Sequence, residues 1–396
     1  MSYRIEDVLE SVQEGAPAPR TSTADIIAGA RRIQTRRRWA AVAGAGGAAL
    51  VTVTVVAGLM GTMPQASAPA PPAAVKPSKA PPRAAVPQKF TQPKGLESTV
   101  AESRTGPFQI GPAQTVSYGH QEIPVYRDGK TIDMDGVPYP VADGLITVYR
   151  PGIYNLEAFG VSEIASEKYG PARDLTVAGR PGVEREYSYS LPNIADMRAK
   201  LKANPELNPS DSSIKQEHFT RTALAWKYDG TAWATFLPSS GREPLSRADS
   251  LAIAEALRPQ AAGPVRAPYT FGWMRSGVKA IAAMQNPADL DELVSKVIID
   301  KNGPTGRELV YPAQFYPAGA EISVWHGRPK PSNAPAKGQT VKCVDVNGYC
   351  AMVINDEYHL EFQKIGKGLT MEDARHIMRE LKFTDLADQK TWKPVG

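Results

Sequence analysis

The sequence contains few of the side chains that carry most enzyme and metal chemistry. Its 396 residues include two cysteines and five histidines. The histidines show no spacing typical of metal ligands: His120, His218, His326, His359 and His376. The chain also lacks a Walker phosphate-binding loop, a Gly-x-Ser-x-Gly motif and an Asn-x-Ser/Thr acceptor without proline. We therefore expect no catalytic site, no cofactor and no metal centre, and we expect that the protein is not an enzyme.

One short motif tests that expectation. The residues Ser276-Gly277-Val278-Lys279 match the Ser-x-x-Lys element of penicillin-binding enzymes. That chemistry also needs a Ser-Asp-Asn and a Lys-Thr-Gly motif, and the sequence contains neither. A bare four-residue match often arises by chance, so we interpret this segment as the rim of a loop before a short helix.

The chain has no long basic region outside its N-terminal part. Lysine and arginine number 46 against 41 acidic residues, which gives a net formal charge of +5. Beyond residue 63 the two signs nearly balance, and no basic run is interleaved with aromatic residues. Because nucleic-acid binding leaves such a basic footprint, we expect no nucleic-acid partner.

Charge is entirely missing from residues 39–63, an uninterrupted and mostly apolar run. A helix needs about 20 apolar residues to cross a bilayer, so the run predicts a membrane-spanning helix. It follows five basic residues: Arg31, Arg32, Arg36, Arg37 and Arg38. Residues 64–75, which come after it, carry no charge. The positive-inside rule then predicts a cytoplasmic N-terminus and an extracytoplasmic C-terminal domain, and we expect the arginines to contact membrane lipid.

The alternative for this segment is a cleaved signal peptide. Ala66-Ser67-Ala68 forms a small-residue cleavage site. The basic segment and the apolar run are both longer than in ordinary signal peptides, and Pro69 follows the site. These lengths favour a retained anchor in the cell membrane.

The predicted order of segments follows from composition. Residues 1–38 form a cytoplasmic basic tail, 39–63 a transmembrane helix, and 64–95 a Pro/Ala-rich disordered linker. The remaining chain is long enough for two units, which we place at 96–262 and 263–396.

These two halves end with the same pattern. In the first, alternating apolar residues lead to Asp229-Gly230, a hairpin signal that predicts Trp226 opposite Trp233. A helix capped by Ser246, with Asp249 three residues later, follows. In the second half, Tyr358, Leu360 and Phe362 alternate, and a helix capped by Thr370, with Asp373 three residues later, follows. Its Ile377 and Leu381 match Ile253 and Leu257 at a constant offset of 124. We therefore predict an α+β ectodomain of two similar halves, each an antiparallel sheet plus a helix.

Both cysteines lie in the second half, on the predicted extracytoplasmic side. Cys343 and Cys350 flank Asp345-Val346-Asn347-Gly348, a sequence that suits a type I turn. That register would place the cysteines opposite each other on adjacent strands, so we predict a disulfide. A tighter Asn347-Gly348 turn would separate the sulfurs. A metal site is the other alternative, but only His359 is close in sequence.

Residues 24–32 of the N-terminal tail read Ala-Asp-Ile-Ile-Ala-Gly-Ala-Arg-Arg, and three further arginines, an Ala/Gly/Val span and the Pro/Ala linker follow. This series resembles the N-terminal segments of single-pass membrane proteins of actinobacteria. The two strand–strand–helix endings resemble uncharacterised extracytoplasmic domains of that group, some attached to anti-sigma-factor-like proteins. The zinc-type anti-sigma signature needs spaced His and Cys, and residues 1–38 contain neither. The resemblance implies this topology but no particular activity.

These features favour a membrane-anchored protein that binds or senses an extracytoplasmic ligand. Trp226, Trp233 and Trp273 are candidates for a ligand groove, although their spacing first suggests a sheet core. The alternative is a structural or assembly factor of the cell envelope that docks on the wall or on another protein. A pocket at the junction of the halves would favour binding, and a flat surface would favour docking.

Overall fold

We describe the fold from a computed structural model. It describes residues 95–395 except 135–136, 155, 157–158, 160–167, 205–212, 231, 240–244, 286–292, 302–318, 330–333, 337–338, 365 and 367. The predicted tail, membrane-spanning helix and linker lie outside these residues, apart from residue 95. None of the helices in the described ranges is long and apolar enough to cross a membrane.

Strands make up most of the described chain. The first half contains β1 (Glu97–Ala101), β2 (Ser103–Thr105), β3 (Phe108–Ile110), β4 (Thr115–Ser117), β5 (His120–Met134), β6 (Val137–Tyr149), β7 (Lys168–Tyr169), β8 (Arg173–Val177), β9 (Arg180–Pro192), β10 (Gln216–Asp229), β11 (Ala232–Pro238) and β12 (Arg258–Pro264). The second half contains β13 (Arg266–Ala267), β14 (Tyr269–Phe271), β15 (Lys279–Gln285), β16 (Leu293–Asp300), β17 (Ala320–His326), β18 (Val341–Val344), β19 (Tyr349–Val353), β20 (Tyr358–Lys364), β21 (Leu381–Phe383) and β22 (Lys393–Pro394).

The α-helices of the described chain are α1 (Ile194–Ala203), α2 (Arg247–Ala256) and α3 (Met371–Glu380). The predicted N-terminal caps of the last two are confirmed. The Ser246 hydroxyl accepts a hydrogen bond from the Asp249 backbone N–H at 3.0 Å, and the Asp249 carboxylate accepts one from the Ser246 N–H at 3.1 Å. Thr370 and Asp373 form the same reciprocal pair in front of α3. Each box satisfies backbone donors that a helix start leaves without intrahelical partners.

Most of the strands belong to one antiparallel sheet. In the described residues it has 16 strands, and its main path runs β18-β19-β20-β17-β16-β15-β4-β5-β6-β11-β10-β9-β7. The architecture is therefore predominantly antiparallel sheet with few helices, in broad agreement with the predicted α+β class.

The path through the sheet has the same order in both halves. From the middle outwards, the first half runs β4-β5-β6-β11-β10-β9 and the second runs β15-β16-β17-β20-β19-β18. In each, the first three strands follow chain order and the last three run in reverse. A capped helix follows β11 in the first half and β20 in the second. The strand after that helix pairs with a strand from the start of the same half: β12 pairs with β1, and β21 pairs with β14.

The two halves meet where β4 pairs with β15. Val116 lies opposite Ala283 in this antiparallel ladder, so the hydrogen-bonded sheet crosses the junction without a break. Buried residues of the sheet pack with α2 and α3 in a single hydrophobic cluster that spans both halves. Ile253 and Ile377, matched by the sequence offset, are both fully buried in it. The two halves therefore share one hydrophobic core as well as one sheet.

The predicted pairing of Trp226 with Trp233 is wrong. Trp226 lies opposite Ala234, and Lys227 lies opposite Trp233. The register shifts between Lys227 and Asp229, because Tyr228 is an extra residue on β10 and forms a β-bulge. One extra residue moves a side chain to the other face of the sheet. Trp226 is consequently buried in the main core, whereas Lys227 places its ammonium 4.5 Å from the centre of the Trp233 ring.

The predicted cysteine register is found. Cys343 of β18 lies opposite Cys350 of β19, and their sulfurs form a disulfide bond with the Cα atoms 4.0 Å apart. The connecting turn is a 3-10 turn over Asp345–Asn347, closed by Gly348 with a φ of +61°. An ion pair between Arg375 of α3 and Asp345 attaches this turn to the helix.

Candidate functional site

Two cavities lie beside the junction of the halves. The larger has a volume of about 290 Å³, and Gln109, Gln114 and Gln285 are among the residues that line it. Gln285 comes from the end of β15 in the second half, and the other two come from the first half. The remaining lining residues are Gly111, Pro112, Pro124, Tyr126, Arg127, Asp128, Gly129, Lys130, Thr131 and Pro140.

The smaller cavity adjoins the larger one. Its volume is about 200 Å³, and it shares Pro112 and Gln285 with its neighbour. Gly111 positions this shared wall, because its φ of +89° lies in the left-handed region that glycine favours. The cavities are therefore adjacent compartments on either side of one proline and one glutamine.

Backbone hydrogen bonds hold the wall of the larger cavity in place. The Gln285 N–H donates to the Gln114 carbonyl at 2.9 Å, across the junction of the halves. The Gln114 N–H donates to the Glu122 carbonyl at 2.8 Å, and the Gly111 N–H donates to the Pro124 carbonyl at 3.2 Å. The side-chain amide nitrogen of Gln285 (Nε2) also donates a hydrogen bond, to the Arg266 carbonyl. These bonds attach the lining glutamines to β5 and to the second half.

The charged part of the wall comes from an excursion of β5. Pairing with β6 stops after Tyr126 and resumes at Thr131, so four residues leave that ladder, with Gly129 at a φ of +68°. Two of them reach Asp143, whose side chain is 1% exposed. Arg127 Nε lies 3.1 Å from its Oδ2, and the Lys130 ammonium contacts its Oδ1.

The other charged pair at this excursion is exposed. Arg104 on β2 lies 2.6 Å from Asp128, and about half of each side chain is open to solvent. Such pairs contribute little to stability. The buried carboxylate of Asp143 is different, because removing its cations would leave an uncompensated charge in the interior.

A second buried acid lies near the junction, on β5. Glu122 is 8% exposed and lies between Thr115 of β4 and Thr147 of β6. Burial raises the pKa of its carboxyl to about 7. The preceding residue, Gln121, points to the opposite face and exchanges two hydrogen bonds with Thr99 of β1, at 2.7 and 2.8 Å.

The three tryptophans proposed as groove residues occupy separate environments, and none of them lines either cavity. Trp226 is in the main core, and Trp233 contacts Lys227. Trp273 stacks on His376 of α3, with ring centres 4.0 Å apart. The predicted lipid contacts Arg31, Arg32, Arg36, Arg37 and Arg38 lie outside the described residues.

The Ser-x-x-Lys segment is not followed by the short helix that we expected. Ser276 lies in an exposed turn, and Lys279 begins strand β15. The Lys279 ammonium lies 5.2 Å from the centre of the Tyr118 ring. A strand separates Ser and Lys differently from the helical turn that this chemistry requires. Across the described part of the chain, no group of three His, Cys, Asp or Glu side chains is placed to hold a metal ion.

The comparisons with known proteins give little. No protein-family model matches the chain, and no curated protein matches it. Among solved structures, the chain is similar to MucB in complex with MucA(peri), at 10% identity and a TM-score of 0.19, over 73% of this chain and 93% of that one. A Pseudomonas aeruginosa MucA/MucB complex gives a TM-score of 0.18 at the same identity and coverage. Similarity at this level establishes neither the fold nor a partner of this chain.

Proposed function

We propose that this chain is a membrane-anchored, extracytoplasmic binding or sensing protein without enzymatic activity, and that its ligand occupies the larger junction cavity. The supporting observation is a cavity of about 290 Å³ that is lined by the first half and, through Gln285, by the second. Ligand pockets commonly measure about 300–1,000 Å³, so this one suits a small ligand. A ligand that contacts both Gln114 and Gln285 would stabilise the arrangement of the halves, which is a means of sensing.

We also infer that the two halves arose by duplication. Support comes from their common strand order and from the offset of 124 that joins Ile253 to Ile377 and Leu257 to Leu381. Under this proposal β4 and β15 are equivalent strands, and they pair antiparallel. The same strand from two subunits pairs in this way across the twofold axis of a symmetric dimer. The cavity then lies beside a pseudo-twofold axis, although the halves contribute different residues to it.

Native mass spectrometry of the full-length chain tests the binding proposal. The purified chain is incubated with a small-molecule extract of the producing cell's envelope, and a bound mass is sought. Gln109→Trp places a large ring at an exposed cavity position. Thr176→Trp adds the same ring at an exposed position of β8 and serves as the control.

The expected result is an adduct on the wild type and on Thr176→Trp that Gln109→Trp loses. An adduct that all three chains retain would contradict binding in this cavity. Failure of the wild type to take up any small molecule would contradict the binding function itself.

The proposed topology has its own test. Residues 31–38 contain five arginines, whereas residues 64–75 carry no charge. A reporter that is active only outside the cytoplasm should work when fused after Gly95 and fail when fused after Arg20. The opposite pattern would reverse the proposed orientation.

One observation favours the envelope-docking alternative. Val346, at the tip of the disulfide-linked hairpin, is 96% exposed. The neighbouring strand β18 is the first strand on the main path of the sheet, where an edge can accept another strand. Val346→Asp should abolish docking on an envelope partner if this alternative holds, and should leave the cavity adduct unchanged.

A further inference from the structure

We propose that the larger junction cavity binds an oxyanion, a carboxylate or phosphate group of a small polar ligand, through the ammonium of Lys130. This inference rests on the proposed binding function and names the chemical class of the ligand. It starts from the excursion of β5, which brings Lys130 and Arg127 into the cavity wall.

The position of Lys130 is the first argument. Its side chain is 17% exposed, so its charge is largely withdrawn from water. An ammonium has three hydrogen-bond donors. Within the described part of the chain, the Lys130 ammonium donates to one carboxylate, that of Asp143. The remaining donors can serve a ligand in the cavity that Lys130 lines.

Asp143 is the second argument, and it acts as a positioning residue. Its carboxylate is 1% exposed and contacts both Lys130 and Arg127. It fixes the two cationic groups before a ligand arrives, so less side-chain conformational entropy is lost on binding. Arg127 is further held by packing 5.3 Å from the centre of the Phe108 ring.

The remaining wall indicates what else the ligand carries. Gln109, Gln114 and Gln285 line the cavity, and glutamine carries an amide that both donates and accepts hydrogen bonds. Such groups suit hydroxyl or amide substituents. We therefore expect a ligand with one oxyanion and several neutral polar groups, and not a purely apolar one.

Inorganic phosphate is the probe for this inference. Calorimetric titration of the full-length chain should show binding that weakens as sodium chloride is raised, since an ion contact is screened by salt. Glycerol, which is neutral, should not compete, whereas glycerol 1-phosphate should. Competition by phosphatidylglycerol vesicles but not phosphatidylcholine vesicles would identify a lipid headgroup as the source of the phosphate.

Lys130→Gln should weaken phosphate binding at least about ten-fold, the effect expected for one charge-assisted hydrogen bond. The matched control is Lys382→Gln, which removes the same charge at an exposed position of β21. Equal affinity of the wild type and a folded Lys130→Gln would overturn the inference.

A second measurement does not depend on a variant. Crystals of the wild-type chain soaked in selenate should show an anomalous peak beside Lys130 in the cavity. A peak found only at surface lysines and arginines, or no peak, would overturn the oxyanion inference. The binding function would still stand if the envelope extract gave an adduct that Gln109→Trp removes.

Discussion

At the scale of single residues, two buried acids in the first half have opposite surroundings. Asp143 contacts two cationic side chains, those of Arg127 and Lys130. Glu122 lies between two threonines, and burial raises the pKa of its carboxyl to about 7. Asp143 therefore belongs to an ion cluster, whereas the Glu122 carboxyl changes charge near neutral pH.

Glu122 makes stability depend on pH. Its carboxyl has a pKa of about 7 when folded and an ordinary value of 4.5, so between these values the folded chain holds a proton that the unfolded chain releases. Raising the pH through this window should lower the free energy of unfolding, by up to about 3 kcal/mol at about 1.4 kcal/mol per unit. Glu122→Gln cannot ionise and should remove this loss.

Denaturant unfolding at pH 4.5 and pH 8 measures the effect. Glu255→Gln, at an exposed position of α2, is the control and should follow the wild type at both values. If Glu122→Gln and the wild type lose the same stability between the two pH values, burial of this carboxyl is not costly.

Gly319 is a residue whose missing side chain matters. A Cβ placed there would collide with the Ile299 carbonyl oxygen of β16, part of the backbone. Gly319→Ala should therefore destabilise the chain by at least about 2 kcal/mol, because a central ladder must move. In Gly263→Ala the new Cβ meets nothing within 4 Å, so the change should be less than about 1 kcal/mol. Equal melting temperatures of the two variants would contradict this packing.

At the scale of elements, the sequence predicted features that depend on neighbouring residues and missed those that depend on distant strands. The caps Ser246 and Thr370 could be predicted because each bond joins residues three apart. The hairpin at Asp229-Gly230 was located, but its register was wrong. The bulge at Tyr228 depends on how β10 fits its two neighbouring strands, and the turn sequence does not encode that.

The disulfide belongs to one hairpin, which limits what it can contribute. The two cysteines are seven residues apart, a short loop that restricts the unfolded chain only slightly. The chain-entropy model gives about 2–3 kcal/mol at most. A Cys343→Ala, Cys350→Ala double variant should lose no more than this by denaturant unfolding. The non-reduced wild type should show a peptide with both cysteines, lighter by two hydrogens. Two alkylatable thiols in protein from an oxidising compartment would contradict the bond.

At the scale of the whole molecule, the continuous sheet explains why the candidate site escaped sequence analysis. Gln114 and Gln285 are far apart in the chain, and only the pairing of β4 with β15 brings them together. Lys130 enters the wall through an excursion of β5 whose sequence signature is the dipeptide Asp128-Gly129, which predicts a turn but not the side chains it brings together. We predicted a groove lined by tryptophans, yet glutamines, prolines and charged residues line the cavity.

The central claim is that a small ligand binds where the two halves join. A crystal structure of the full-length chain, soaked in the extract fraction that gives the native-mass adduct, tests it most directly. We predict ligand density between Gln285 and Lys130 in the larger cavity. Density for the same ligand elsewhere on the chain, with only ordered water in this cavity, would contradict the claim.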